Sequence, residues 1–176
     1  MKQQRLILAG LLMLALAGCG NRSIGNKIDD QFLEPAVAER VREAHADLGS
    51  TTSRIVVTSY NGVILLAGQT PREDLKELAG RKAASVQGVR KVHNELQIGL
   101  PVSALVRSND ALLTTRIKTQ MLADNTIPGS KIKVITENGV VYLMGLITRQ
   151  EGIRATNLTQ SVSGVQKIVK LFQYTD

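Results

Sequence analysis

Three kinds of side chain in this 176-residue sequence could do chemistry: one cysteine, two histidines, and cations set among leucines at helical spacing. A lone thiol, Cys19, cannot build a disulfide framework within the chain or a multi-cysteine zinc site. His45 and His93 fall in different elements, and neither a Gly-x-Ser-x-Gly elbow nor a metal-spaced cluster accompanies them. His45, at helical spacing from Val41, reads as a semi-buried helix residue, and His93 as a strand-surface one. No catalytic residue, metal or cofactor is expected. Nucleic acid is not an expected partner either, despite a net charge of +7, because aromatics at 3% are too few to build a base-stacking platform.

The cysteine has a specific context. Met1-Lys2-Gln3-Gln4-Arg5 precedes an apolar stretch from Leu6 to Ala17, too short to cross a hydrocarbon core as a helix but matching the two regions of a secretory signal. Leu16-Ala17-Gly18-Cys19 then resembles the bacterial lipobox, in which the cysteine is acylated and becomes the first residue of the mature chain. The sulfur would then be a thioether and unavailable for catalysis. Three acyl chains, at about 0.8 kcal/mol per buried CH₂, would hold the chain on a membrane effectively permanently. In such lipoproteins an aspartate after the cysteine causes retention in the inner membrane. Gly20 stands there, which implies export to the outer membrane, with the chain facing the periplasm. The expected division is a signal peptide over 1–18, a lipidated tether over 19–28, and folded chain from 29 on.

The elements must be sought in an internal repeat. Arg54 to Gly68 aligns without gaps to Lys131 to Gly145 at an offset of 77, and Gln87-Gly88-Val89-Arg90-Lys91-Val92 answers Ser163-Gly164-Val165-Gln166-Lys167-Ile168 at an offset of 76. Each copy has a β-rich run ending at Asn-Gly, Asn61-Gly62 or Asn138-Gly139, which predicts a type I′ hairpin because both central residues need positive φ. Gly68 and Gly145 are expected to close the second strand, where backbone meets backbone or the chain turns. Thr70-Pro71-Arg72-Glu73 and Thr148-Arg149-Gln150-Glu151 read as capping boxes opening helices that run to about Val86 and Val162. Last strands are expected over Val89 to Ile98 and Val165 to Tyr174. Upstream of each hairpin, Val37 and Val41, or Leu113, Ile117 and Met121, recur every four residues as a core-facing helix stripe. The predicted fold class is α+β: two tandem α-β-β-α-β domains, 29–99 and 100–176, each a small three-stranded mixed sheet packed against two helices.

An α-β-β-α-β unit with a hairpin of the form N-G-x-V-x-L-x-G and a later S-G-V-x-x-V is similar to the BON domain, a module of bacterial periplasmic and outer-membrane proteins. Two such units behind a lipobox resemble the dual-BON outer-membrane lipoproteins. The resemblance implies a non-enzymatic protein that maintains envelope integrity, collects at the division site, and binds anionic phospholipid through the first helix of its second domain. Phosphatidylglycerol or cardiolipin in the inner leaflet of the outer membrane is the implied partner. That helix maps to about Asp110 to Ala123. The related lipoproteins carry tryptophan near its start, where this chain has Leu112, so an interfacial aromatic anchor is replaced by an aliphatic one.

On a helical wheel Leu112, Thr115, Thr119 and Leu122 oppose the core stripe, and Arg116 and Lys118 flank them. Apolar atoms between cations suit shallow insertion beneath phosphates. The spacing fits a second arrangement too, with Leu112 and Leu122 buried against the first domain and the cations merely solvated. Charge is unevenly divided: residues 29–99 carry nine Lys+Arg and ten Asp+Glu, whereas residues 100–176 carry nine and five. Near an anionic surface each such cation is worth about 1 kcal/mol. The alternative reading is a periplasmic protein-interaction module whose basic second domain is steered to an acidic envelope-protein or cell-wall partner.

Overall fold

The computed structural model describes residues 24–176; Cys19 and the signal segment lie outside them. Helix α1 (Ile24–Arg42) and a single turn, α2 (Ala46–Gly49), lead into strands β1 (Arg54–Tyr60) and β2 (Val63–Thr70), helix α3 (Glu73–Ala84), and strands β3 (Lys91–Asn94) and β4 (Gln97–Ile98). The second domain follows with α4 (Ala104–Ala123), a 3₁₀ turn (Gly129–Lys131), β5 (Ile132–Glu137), β6 (Val140–Ile147), α5 (Arg149–Ser161) and β7 (Lys167–Tyr174). In each sheet the second strand is central, antiparallel to the first and parallel to the last. The fold is α+β with two small mixed sheets, as the repeat predicts.

Helix stripes form as expected. Leu33, Val37 and Val41 are buried in the first core, and Leu113, Ile117 and Met121 in the second. The central strands are buried on both faces. One face of β2 gives Ile64 and Leu66 to the helix-covered core, and the other gives Val63, Leu65 and Ala67 to a third cluster. That cluster also holds Val140, Tyr142 and Met144 of β6 and Leu171 of β7. The domains therefore stack sheet on sheet, leaving both helix layers outside.

The stacking has approximate two-fold symmetry. Asn61 Nδ2 donates to Gln173 Oε1 (2.9 Å), and the equivalent Asn138 Nδ2 donates to Gln97 Oε1 (3.2 Å). Arg54 pairs with Glu137 (Nε to Oε1, 3.0 Å), while at the reciprocal positions the Tyr60 hydroxyl donates to the Lys131 carbonyl (2.7 Å). Each hairpin turn thus lies beside the far end of the other sheet's last strand, so the two turns sit at opposite ends of the stack.

Several expectations are corrected. Residues 24–28, assigned to the tether, belong to α1, because a helix nucleated by the Leu33, Val37 and Val41 contacts extends backward at little cost. Helix α4 opens six residues before Asp110, capped by Ser103, whose side chain accepts from the Val106 N–H. His45 caps the short α2 with Nδ1 rather than sitting within a helix, and His93 is partly buried. Strands β2 and β6 continue two residues past Gly68 and Gly145, so neither glycine ends a strand. The last strand of the first domain is broken between Asn94 and Gln97 although its register is kept, and the positions opposite the break are Ala67 and Gly68, the latter with φ +114°. Gly145 has no such φ, and β7 pairs without interruption.

Only the second capping box exists. The Thr148 side chain accepts from the Glu151 N–H while the Glu151 carboxylate accepts from the Thr148 N–H. In the first domain Thr70 is still in β2, and α3 is capped by Arg72 with no side-chain hydrogen bond. The change of offset from 77 to 76 explains this: Pro71 is the extra residue, so Arg72 and not Thr70 is the counterpart of Thr148. Thr148→Ala is expected to lower stability by about 1 kcal/mol in urea unfolding, whereas Thr70→Ala should leave its helix start unaffected.

Candidate functional site

Both predicted hairpins are type I′. Asn61 and Asn138 have φ +52°, Gly62 and Gly139 have φ +73°, and two-residue loops join the strands. Sequence reasoning missed what holds each turn. Asp110, buried on α4, accepts from the Asn138 N–H (2.8 Å) and the Gly139 N–H (2.9 Å). Asp30 on α1 does the same for Asn61 (2.7 Å) and Gly62 (2.9 Å), and also accepts from the Ser59 hydroxyl (2.6 Å). Asp30 and Asp110 lie 80 residues apart, as do Leu33 and Leu113. A local search could not link them, because the aspartate and its turn are about 30 residues apart in sequence.

The carboxylates fix the first helix of each domain against the turn and shape one wall of a cleft. In the second domain this cleft has a volume of about 430 Å³ and is walled by Val106, Leu112, Leu113 and Arg116 of α4, the Asn138-Gly139 turn, and Gly164. A side chain at Gly139 would collide with Gln166, 2.6 Å from an ideal Cβ.

Helix α4 turns its opposite face outward. Leu112 and Leu122 are 56% and 58% exposed, so the arrangement in which the first domain buries them does not occur. Thr115 and Thr119 are exposed between them, and the Thr115 hydroxyl donates to the Ala111 carbonyl (2.9 Å). Arg116 is exposed at the edge. The longer helix adds Leu105, 72% exposed and two turns before Leu112 on the same side. Its signal was the Ser103 cap, placed right after Pro101-Val102.

Lys118 is not part of this face. Its ammonium reaches inward to the carbonyls of Gly129 (3.1 Å) and Ile132. Burial, and then the neighbouring Lys133, lower its pKa from the usual lysine value. The physical reason is local: Ile117 and Met121 press α4 onto the sheet, which puts position 118 over the 3₁₀ turn and the start of β5, within reach of the Gly129 and Ile132 carbonyls. Arg116 is therefore the basic member of the expected set that remains at the surface.

Gly68 and Gly145 prove to be places of close backbone approach. A Cβ at Gly68 would lie 2.0 Å from the Arg54 carbonyl oxygen, and one at Gly145 2.9 Å from that of Lys131. Among the described residues no group of three or more His, Cys, Asp or Glu could hold a metal ion, and no helix is long and apolar enough to cross a membrane.

Comparison with known proteins matches the BON domain model twice, over residues 34–99 and 109–176. The chain is 36% identical over 170 residues to the outer membrane lipoprotein DolP of Haemophilus influenzae, covering 97% of this chain and 87% of that protein. It is 37% identical over 153 residues to a 21 kDa hemolysin of Actinobacillus pleuropneumoniae, covering 87% and 78%. It is 30% identical over 149 residues to the osmotically inducible protein Y of Escherichia coli, covering 82% and 72%. With two family matches, one on each sheet-and-helix unit, the chain belongs to the BON domain family as a tandem of two BON domains.

Proposed function

We propose that this chain is a non-enzymatic outer-membrane lipoprotein, anchored through acylated Cys19, that contributes to envelope integrity by binding anionic phospholipid with helix α4. Similarity to DolP over nearly the whole chain supports an envelope-associated role. The observation that carries the lipid reading is the outward stripe of α4: Leu105, Leu112 and Leu122 are each more than half exposed, with Arg116 beside them. Three leucines left in water on one helix face lose apolar contact that an acyl boundary would supply. Phosphatidylglycerol or cardiolipin supplies the phosphate that Arg116 would meet. Positioning at the division site follows from the same reading, as a consequence of anionic lipid distribution.

The test is cosedimentation of the Cys19→Ser chain with phosphatidylglycerol vesicles at low salt. Arg116→Glu removes one positive charge and adds a negative one, so partitioning should fall by about 2 kcal/mol, roughly thirtyfold. Leu112→Asp is expected to weaken binding at least tenfold. Lys118→Gln should leave it within about twofold, because that ammonium is already engaged by two carbonyls. Absence of binding to anionic vesicles, or unchanged binding by Arg116→Glu, would remove α4 from the reading and favour a protein partner.

A further inference from the structure

The first domain has the same cleft as the second, with different chemistry at its rim. Between α1, the Asn61-Gly62 turn and the loop after α3 lies an opening of about 430 Å³ lined by Phe32, Leu33, Ala36, Gly88 and Arg90. Each has a counterpart across the repeat: Phe32 with Leu112, Leu33 with Leu113, Ala36 with Arg116, Gly88 with Gly164, Arg90 with Gln166. The apolar residue at the rim is aromatic here, and Phe32 is 72% exposed. The cation has changed walls. Where α4 has Arg116 the first domain has Ala36, and where the second domain has Gln166 the first has an exposed Arg90, whose guanidinium donates to the Asn61 carbonyl (3.3 Å). One exposed apolar side chain and one exposed cation are thus present in both clefts.

The length of chain ahead of α1 says what this cleft faces. Cys19 is five residues before Ile24, a reach of at most about 18 Å, and Ile24 to Phe32 adds eight helical rises, about 12 Å. Phe32 therefore stands within about 30 Å of the anchoring sulfur. The two-fold arrangement puts the α4 cleft on the opposite face and at the opposite end of the stack. We propose that the Phe32–Arg90 cleft is a second phospholipid contact, made with the bilayer that holds the acyl chains, with the Phe32 ring in the acyl boundary and Arg90 among the phosphates. This rests on the reading of Cys19 as the acylated residue, but not on lipid binding by α4.

The sequence has no tryptophan, so Phe32→Trp and Leu112→Trp each introduce a single reporter. Each full-length acylated variant, its acyl chains verified by mass, is reconstituted into phosphatidylethanolamine–phosphatidylglycerol vesicles with and without brominated acyl chains. Phe32→Trp is expected to emit to the blue of its Cys19→Ser counterpart and to be quenched at least twofold by the brominated lipid. Adding Arg90→Glu should reduce that quenching by half or more, with unchanged circular dichroism. Solvent-like emission without quenching from Phe32→Trp in the acylated chain overturns this proposal. Solvent-like emission without quenching from Leu112→Trp on the unanchored Cys19→Ser chain, which is free to present either face to the vesicle, overturns the α4 reading instead, so the two failures are distinguishable.

Discussion

Gly68→Ala should cost about 3 kcal/mol or more and lower the melting temperature by roughly 10 °C. Two separate effects add. The residue has φ +114°, a region in which an L side chain is strained, and its Cβ would be 2.0 Å from the Arg54 carbonyl oxygen. That oxygen belongs to the β1 backbone, so relief requires displacing the strand itself. Arg54 would carry the damage to the domain boundary through its contact with Glu137, whose side chain is nearly buried. Gly145→Ala is the control. It lacks the unusual φ, and its Cβ would lie 2.9 Å from the Lys131 carbonyl, so a shift of a few tenths of an ångström relieves it. A cost of about 1–2 kcal/mol is expected there. Calorimetry of the two variants checks the contrast, and equal losses would show that the conformation at Gly68 is not what makes it irreplaceable.

Asp110→Ala is expected to destabilise the chain by about 2–4 kcal/mol, with a fall in melting temperature of roughly 5–15 °C. The carboxylate supplies an acceptor to each of two N–H groups in a tight turn, and truncation leaves both donors without it in a site too enclosed for full hydration. Asp110→Asn should be intermediate, because the amide retains one acceptor oxygen and presents N–H groups toward a donor. Thermal unfolding followed by circular dichroism measures both. Hydrogen exchange at Asn138 and Gly139 gives the local readout: their amides should lose protection in Asp110→Ala more than the amides of α5. Indistinguishable stability of the two variants and the unmodified chain would mean that the turn does not depend on α4.

Both predictions concern features that look identical in the two copies until the packing is known. The hairpins were legible because Asn-Gly specifies its turn through local backbone preference, and the core stripes because helical period reports burial. The partnership of Asp110 with its turn is tertiary and carries no local signature. At Thr70 the pattern of a capping box was present, but one inserted proline moved the helix start two residues on. On α4, the wheel sets the leucines opposite the core stripe but leaves open whether the first domain covers them, and the structure exposes them. The wheel misplaces Lys118, since it gives direction but not the carbonyls that a long side chain can reach. Leu105 was missed through the position of the helix start. The continuous apolar runs of the central strands signal cover on both faces, but a run does not say which element supplies the cover, so the sheet-on-sheet stacking itself was not readable.

The face-to-face pairing of the sheets makes the molecule a dimer in one chain. A separate BON domain with the same apolar sheet face would find its mate at a rate and occupancy set by protein concentration. Here the segment Gly99 to Ser103 fixes the encounter within the chain, at an effective concentration on the order of millimolar or above. Pairing therefore does not weaken on dilution, and a sparse protein on an extended surface keeps its architecture at any density. Duplication has also released each copy from the need to be identical. Only the shared interface must remain self-complementary, while the outer helices are free to diverge, as the exchange of Leu112 with Arg116 for Phe32 with Arg90 illustrates.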